Sequence, residues 1–417
     1  MPGARANTIL IALLLAACAG GPDYLDDARA RRATLVASLV NPDNDYSALR
    51  LAHYATGEPG DWDALPAWNP RTDAVITPPA VAPLSAAARS LAITSGASAG
   101  DESELVALGA AAFFRYPVEM LTSEEAALVA DDTSAARYGF WSDATYGTGG
   151  LLRVELPDGS TGVGYSCATC HAFERNGELA IGVTNASLDF GKLMVDSTGG
   201  ADTRAPALLA WGPGRIDPTT ADGTEPMRIP DLRPVRALGY LHQTASVAQH
   251  DVESLAVRIE TLVVTSNAET LRPPREIALG LAMYVWSLAD SIRTRAPAST
   301  QEIAGQSIFA SQCASCHAPP SYTGPPVPLD VVGTDPTVGL SPDRGTGTYR
   351  VPSLLGVGDR PLLFHDASVA SLEELFDPAR TSSTYESRLG APIPGHLTGL
   401  DLDPTSRAAL IAFLRTL

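Results

Sequence analysis

Apolar positions recur at helical spacing in short, separate stretches rather than in one long run. Residues 26–40 read as an amphipathic helix, halted by Asn41-Pro42-Asp43-Asn44. Further helices are predicted over 85–94, 103–114, 123–129 (opened by Ser123-Glu124-Glu125), 252–263 and 275–289. The last of these carries Leu279, Met283, Trp286 and Leu288 close to the helical period. Residues 293–299 read as a linker. A helix over 303–311 follows, and one over 405–417 bears Leu410, Ile411, Phe413 and Leu414. Residues 57–83, rich in Pro, Trp and Asp, read as extended wrapping, and the segment after 171 as loop-rich up to about 230.

Near the start, Arg5 precedes an apolar stretch over 9–17 that ends in Leu15-Ala16-Ala17-Cys18. A basic start, a short apolar run and small residues are the marks of a secretory signal, and the run is too short for a permanent span. Leu-Ala-Ala-Cys resembles the bacterial lipobox. That resemblance implies a signal peptide over 1–17 and lipidation of Cys18. The protein is then expected to be exported and lipid-anchored, on the periplasmic side of the outer membrane or at the cell surface. It would meet the membrane only through that anchor. Charge sharpens the reading: 29 Lys+Arg stand against 47 Asp+Glu, a net charge of −18, and Lys192 is the only lysine. A surface so acidic argues against nucleic-acid binding, which needs cations to displace counterions.

Cysteine carries the chemistry. Besides Cys18, the chain has Cys167-Ala-Thr-Cys170-His171 and Cys313-Ala-Ser-Cys316-His317. Two thiols one short turn apart can add to the two vinyl groups of a haem, and the adjacent histidine can then ligate its iron. A four-cysteine zinc site would not put a histidine in the same place twice, and redox dithiols would call for an α/β pattern that is absent. Two covalently bound haem c groups are therefore expected, attached at Cys167, Cys170, Cys313 and Cys316, with His171 and His317 as axial ligands.

The surroundings of the motifs repeat. Ile229-Pro230-Asp231-Leu232, Tyr240-Leu241-His242 and Ala245-Ser246-Val247 match Val351-Pro352-Ser353-Leu354, Leu363-Phe364-His365 and Ala367-Ser368-Val369. With Tyr349-Arg350 before the second copy and Ala370-Ser371-Leu372-Glu373-Glu374 after it, the stretch from about 140 to 417 resembles the bacterial di-haem cytochrome c peroxidase and MauG superfamily. The resemblance implies a mainly α fold: two cytochrome c-like helical, loop-rich haem domains over 136–292 and 300–417, behind an N-terminal scaffold segment over 18–135. It implies hydrogen peroxide as substrate at the first haem, with electrons relayed by the second from a small redox protein. It also leaves room for calcium between the domains.

The segment from Arg204 to Arg215 looks like the family's tryptophan segment in altered form, which makes Trp211 the inter-haem electron-transfer candidate. Family peroxidases use a methionine as sixth ligand of the second haem; here no methionine follows His317. His396, in Gly395-His396-Leu397, is the favoured replacement, with Tyr385 and His365 as alternatives. His365 reads chiefly as a residue behind the ligands near the domain interface. His242 is either its structural counterpart or a cap on the first haem. Glu225 and Asp217 are acid–base candidates by position, and Met194 reads as packing. The competing reading is a di-haem electron-transfer cytochrome with no open site.

Overall fold

The computed structural model describes residues 24–75, 84–91, 102–217 and 223–417. The signal and Cys18 lie outside them. Among the described residues the longest helices are α1 (Ala28–Ser38), α2 (Asp45–His53), α3 (Glu102–Arg115), α4 (Val252–Ser266), α5 (Arg275–Ser287), α6 (Thr300–Gln312) and α7 (Pro404–Leu414), with shorter ones between them. Most start where a side chain can take a free backbone N–H. Asp27, Asn44, Asp251, Ser299 and Asp403 each cap one, Asp251 and Ser299 in reciprocal capping boxes.

The expectation of a mainly α chain is overturned. Helices take 39% and strands 13%, the latter in several small antiparallel sheets. The largest is four-stranded, in the order β1 (Thr72–Ala74), β3 (Leu151–Glu155), β4 (Thr161–Tyr165), β2 (Glu119–Met120). Its central hairpin turns at Pro157-Asp158-Gly159, with Gly159 at φ +82°. Leu151, Val154, Val163 and Tyr165 are buried. A search for helical period passes over this signal, because strand residues alternate with a period of two. The helix expected at 85–94 does not form over 85–91, the part of it that lies within the described residues. Residues 85–91 form a turn and an isolated bridge from Arg89 to Thr72, whereas α2, unforeseen, follows the predicted stop.

The two halves are built alike. In the first, α3 crosses α5; in the second, α6 crosses α7. Each crossing is closed by a glycine that lets backbones touch. A Cβ on Gly109 would sit 1.8 Å from the Gly280 carbonyl oxygen, and one on Gly305 would sit 1.9 Å from that of Ala409. The repeating unit therefore takes in α3, from the segment assigned to the scaffold. The loop repeat follows the same rule with a constant offset in numbering. Leu241 pairs with Val247 and Leu363 with Val369, and the left-handed residues are His242 and Ala245 in one copy, Phe364 and Ala367 in the other. The structural counterpart of His242 is thus Phe364, and that of His365 is Gln243. The sequence pairing of the two histidines is off by one residue.

The halves meet across a reciprocal seam. The Arg228 backbone N–H donates to the His365 carbonyl, and that of Arg350 to the Gln243 carbonyl, both at 2.8 Å. The guanidinium Nε of Arg228 donates to the Phe364 carbonyl (2.8 Å), and that of Arg350 to the His242 carbonyl (3.0 Å). This is an internal two-fold contact of the kind that joins identical subunits. Buried Asp231 adds a second tie, accepting from Arg233 of its own half and Arg360 of the other. The N-terminal segment clamps both halves. Tyr24 and Tyr54 donate to buried Glu260 on α4, Arg31 and Arg275 share Asp63, and the side chains of Asn41 and Asn44 reach the Gly345 carbonyl.

Candidate functional site

Strand β4 ends at Tyr165 and leads directly into the first motif, which forms a short helix, Cys167–His171. The second motif leaves the C-terminal end of α6, Cys313 being its cap. The two motif histidines are held in the same manner. His171 Nδ1 lies 3.0 Å from the Pro230 carbonyl oxygen, and His317 Nδ1 lies 3.2 Å from that of Tyr322, with the Pro352 carbonyl also facing it. Carbonyls only accept, so Nδ1 carries the proton in each ring and Nε2 keeps a free lone pair. That is how metal-binding histidines are oriented. Pro230 and Pro352 are equivalent positions of the repeat, so the repeated loop serves as the support of the motif histidine. The loops are pinned alike: the Thr184 and Thr323 hydroxyls donate to the carbonyls of Ile229 and Val351, the residues just before the prolines.

Burial sets the protonation states. It pulls both His171 and His317 down to about 4, so both imidazoles are neutral at neutral pH and able to ligate. It pushes the thiols of Cys167 and Cys170 up to about 12 and that of Cys313 up to about 11. Such thiols are poor nucleophiles at neutral pH, which disfavours redox-dithiol chemistry.

A cavity of about 250 Å³ opens at the second motif, walled by Cys313, Cys316, His317 and His396 together with apolar side chains such as Phe309, Leu363, Phe376 and Leu414. The rings of His317 and His396 are 6.5 Å apart, centre to centre. A metal–imidazole bond is about 2 Å long, so two imidazoles on opposite sides of one metal have centres about 6–6.5 Å apart. The His396 Nδ1 is buried without a partner, and burial lowers the imidazole's pKa. His396 itself is in the left-handed region, φ +44°. Arg380 holds it there: its guanidinium, fully buried, donates to the carbonyls of Ile393, Gly395 and His396. The His396 N–H donates to the Val332 carbonyl. Arg228, Arg350 and Arg360 line another part of the same cavity. Burial lowers Arg228 to about 10 and Arg350 to about 9, and among the described residues neither is ion-paired to a carboxylate. An apolar cavity with two thiols, two facing imidazoles and desolvated cations fits a flat macrocycle bearing acidic substituents.

The other candidates, His365 excepted, fall elsewhere. Trp211 is buried in the core of the first half, its indole N–H donating to the Gly223 carbonyl at 2.7 Å. Both ring nitrogens of His242 are engaged, by the Ser246 hydroxyl and the Arg258 Nε. His365 lines the cavity and stacks on Tyr349, ring centres 4.0 Å apart. The Tyr385 hydroxyl donates to Glu374 (2.7 Å), which holds its pKa up at about 12. Asp217 and Glu225 both pair with Arg344. Met194 packs against the first core. Among the described residues no group of three or more His, Cys, Asp or Glu side chains is arranged to hold a metal ion such as calcium, and no helix is long and apolar enough to cross a membrane. Sequence reasoning missed Arg228, Arg350 and Arg380, since an isolated arginine in a loop carries no motif. The Arg350/Arg228 match just before each Val/Ile-Pro was the available signal.

Comparison with protein-family models, with curated proteins and with solved structures found no match for this chain.

Proposed function

We propose that the chain is a di-haem c-type oxidoreductase with peroxidase-like chemistry: hydrogen peroxide is reduced at the first motif, and electrons from a small redox protein pass by way of the second. The observation that carries this reading is the matched support of His171 and His317. Each is neutral and fixed through Nδ1 on a carbonyl, His317 buried and His171 half-buried, beside two thiols at the attachment spacing. When bound, the haems supply irons that change oxidation state, and an iron with an open axial position takes the oxidant.

The chain's own residues do the rest. Cys313 and Cys316 would anchor the second group, and His317 with His396 would both ligate its iron, a set of holders that suits an electron-transfer centre. At the first motif, His171 supplies one ligand. The strongest rival for the other side, His242, has both nitrogens occupied by Ser246 and Arg258, which favours leaving that position to substrate.

The test is an absorption spectrum of the matured, full-length protein, reduced and oxidised, with and without peroxide. The expected result is two c-type centres, one low-spin and one high-spin, the high-spin one reacting with peroxide. Two low-spin centres inert to peroxide and cyanide would make the protein an electron carrier instead. A protein that stays colourless when the maturation machinery is supplied would end the haem reading.

A further inference from the structure

One cluster of buried cations takes no part in the site described above. Arg50, on α2, is fully buried, and its Nε, Nη1 and Nη2 are all without a hydrogen-bond partner. It lies against the ring of Tyr46, one turn earlier on the same helix, with its guanidinium carbon 5.0 Å from the ring centre. Arg258, on α4, approaches the same ring at 5.6 Å, and its Nη1 is also buried without a partner. The Tyr46 hydroxyl and the hydroxyl of fully buried Thr244 are unpartnered as well. His242 packs edge-on to Tyr46 at 5.2 Å, and Arg344 and Arg350 act on it from the other side. The acids nearest in role, Asp217 and Glu225, are taken by Arg344, and no carboxylate of the described residues pairs with Arg50 or Arg258.

A guanidinium removed from water with neither a counter-ion nor an acceptor is among the costliest arrangements a fold can contain. Arg50 is in that state, and Arg258, whose Nε donates to His242, keeps a buried Nη1 free beside the same Tyr46 ring, so the two form a donor set waiting for an acceptor. The acceptor must be anionic and must offer several oxygens, because the free guanidinium N–H groups can only donate and both guanidiniums carry positive charge. We propose that Arg50, Arg258 and Tyr46 form a buried oxyanion site that binds a carboxylate or phosphate group, with α2 as its cover. The cover comes from the N-terminal segment, Arg258 from the first half, so binding would fasten that segment to the haem-bearing body. Two sources share this chemistry: a small dissolved anion, and an acidic substituent of the group carried by the first motif.

Thermal unfolding of the full-length protein separates them. The protein is dialysed free of oxyanions and its haem content is read from its absorption. Inorganic phosphate is then added against chloride of equal ionic strength. A dissolved anion as the occupant gives a Tm that rises with phosphate but not with chloride, and the rise is lost in Arg50→Met and in Arg258→Gln. A substituent of the bound group gives no phosphate response in the loaded protein, while Arg50→Met lowers its Tm by several degrees. In a Cys167→Ser/Cys170→Ser protein the phosphate response should then appear. Arg50→Met retains much of the side chain's length, so it decides the case even if the double variant does not fold. A Tm equal to or above that of the parent, with no phosphate response in the parent, is what a cation buried without any counter-ion would give, and it would overturn the proposal. The dissolved-anion arm stands whether or not the haem reading survives, because phosphate is its probe and Tm its readout; the other arm rests on that reading.

Discussion

At the scale of single residues, the molecule depends on histidines kept neutral and arginines kept dry. His242 shows the first. Burial, with Arg258, Arg344, Arg50 and Arg350 around it, holds its pKa well below the usual 6.5. Between those values the unfolded chain binds a proton that the folded chain refuses, so stability rises with pH. The stabilisation is complete above about pH 6.5 and is lost as pH falls below it. Replacing His242 with Gln should therefore recover about 1–2 kcal/mol of the stability the parent loses between pH 7 and 5. Urea unfolding at the two pH values measures this; an unchanged pH dependence would refute it. Arg380 shows the second. Its guanidinium holds the loop that carries His396, so Arg380→Met should cost about 2–4 kcal/mol. On the proposed function, it should also turn the second centre from low-spin toward high-spin in the absorption spectrum. His396→Ala should make the same spectral change at a smaller cost in stability. Equal spectra for parent and both variants would remove His396 from the ligand set.

At the scale of elements, the two helix crossings govern each half. The Cβ of Gly305→Ala would meet the Ala409 carbonyl at 1.9 Å, and α6 and α7 would have to separate. A loss of about 1–3 kcal/mol is expected from such overpacking, read as a fall in Tm. Gly109→Ala should do the same at the α3–α5 crossing. By contrast, Gly177→Ala at an open hairpin tip meets nothing within 4 Å, though its φ of +81° still exacts some strain. Helix positions were readable where apolar residues recur at helical spacing, as over 275–289, although the cap at Ser299 starts its helix three residues before the expected 303. The sheet was not, because β1 and β2 are very short strands whose partners lie far away in the chain. Their pairing with β3 and β4 is a long-range choice that no local window contains.

At the scale of the whole molecule, the seam and the charge matter most. Arg228 and Arg350 each reach the opposite copy's loop, so the halves should unfold together; a single transition seen alike by tryptophan fluorescence and by far-ultraviolet circular dichroism would agree, and two separated transitions would not. On the proposed function, the net charge of −18 should steer a basic electron donor, and the rate of donor oxidation should fall as ionic strength rises. A rate indifferent to salt would argue against a basic donor.

The sequence by itself determined the chemistry-bearing motifs, the linker and most helices, and it revealed that a loop recurs. These are local facts: a thiol spacing, a cap, a period of apolar residues. Tertiary structure alone decided that His396 faces His317, that Pro230 and Pro352 present carbonyls to the motif histidines, that the repeat aligns His242 with Phe364, and that strands interrupt what reads as helix and loop. Each of these depends on which distant segments are brought within a few ångströms of one another. The free energy of such a meeting belongs to the packed whole, through burial and hydrogen bonds closed between far-apart residues, and no stretch of chain read alone carries it.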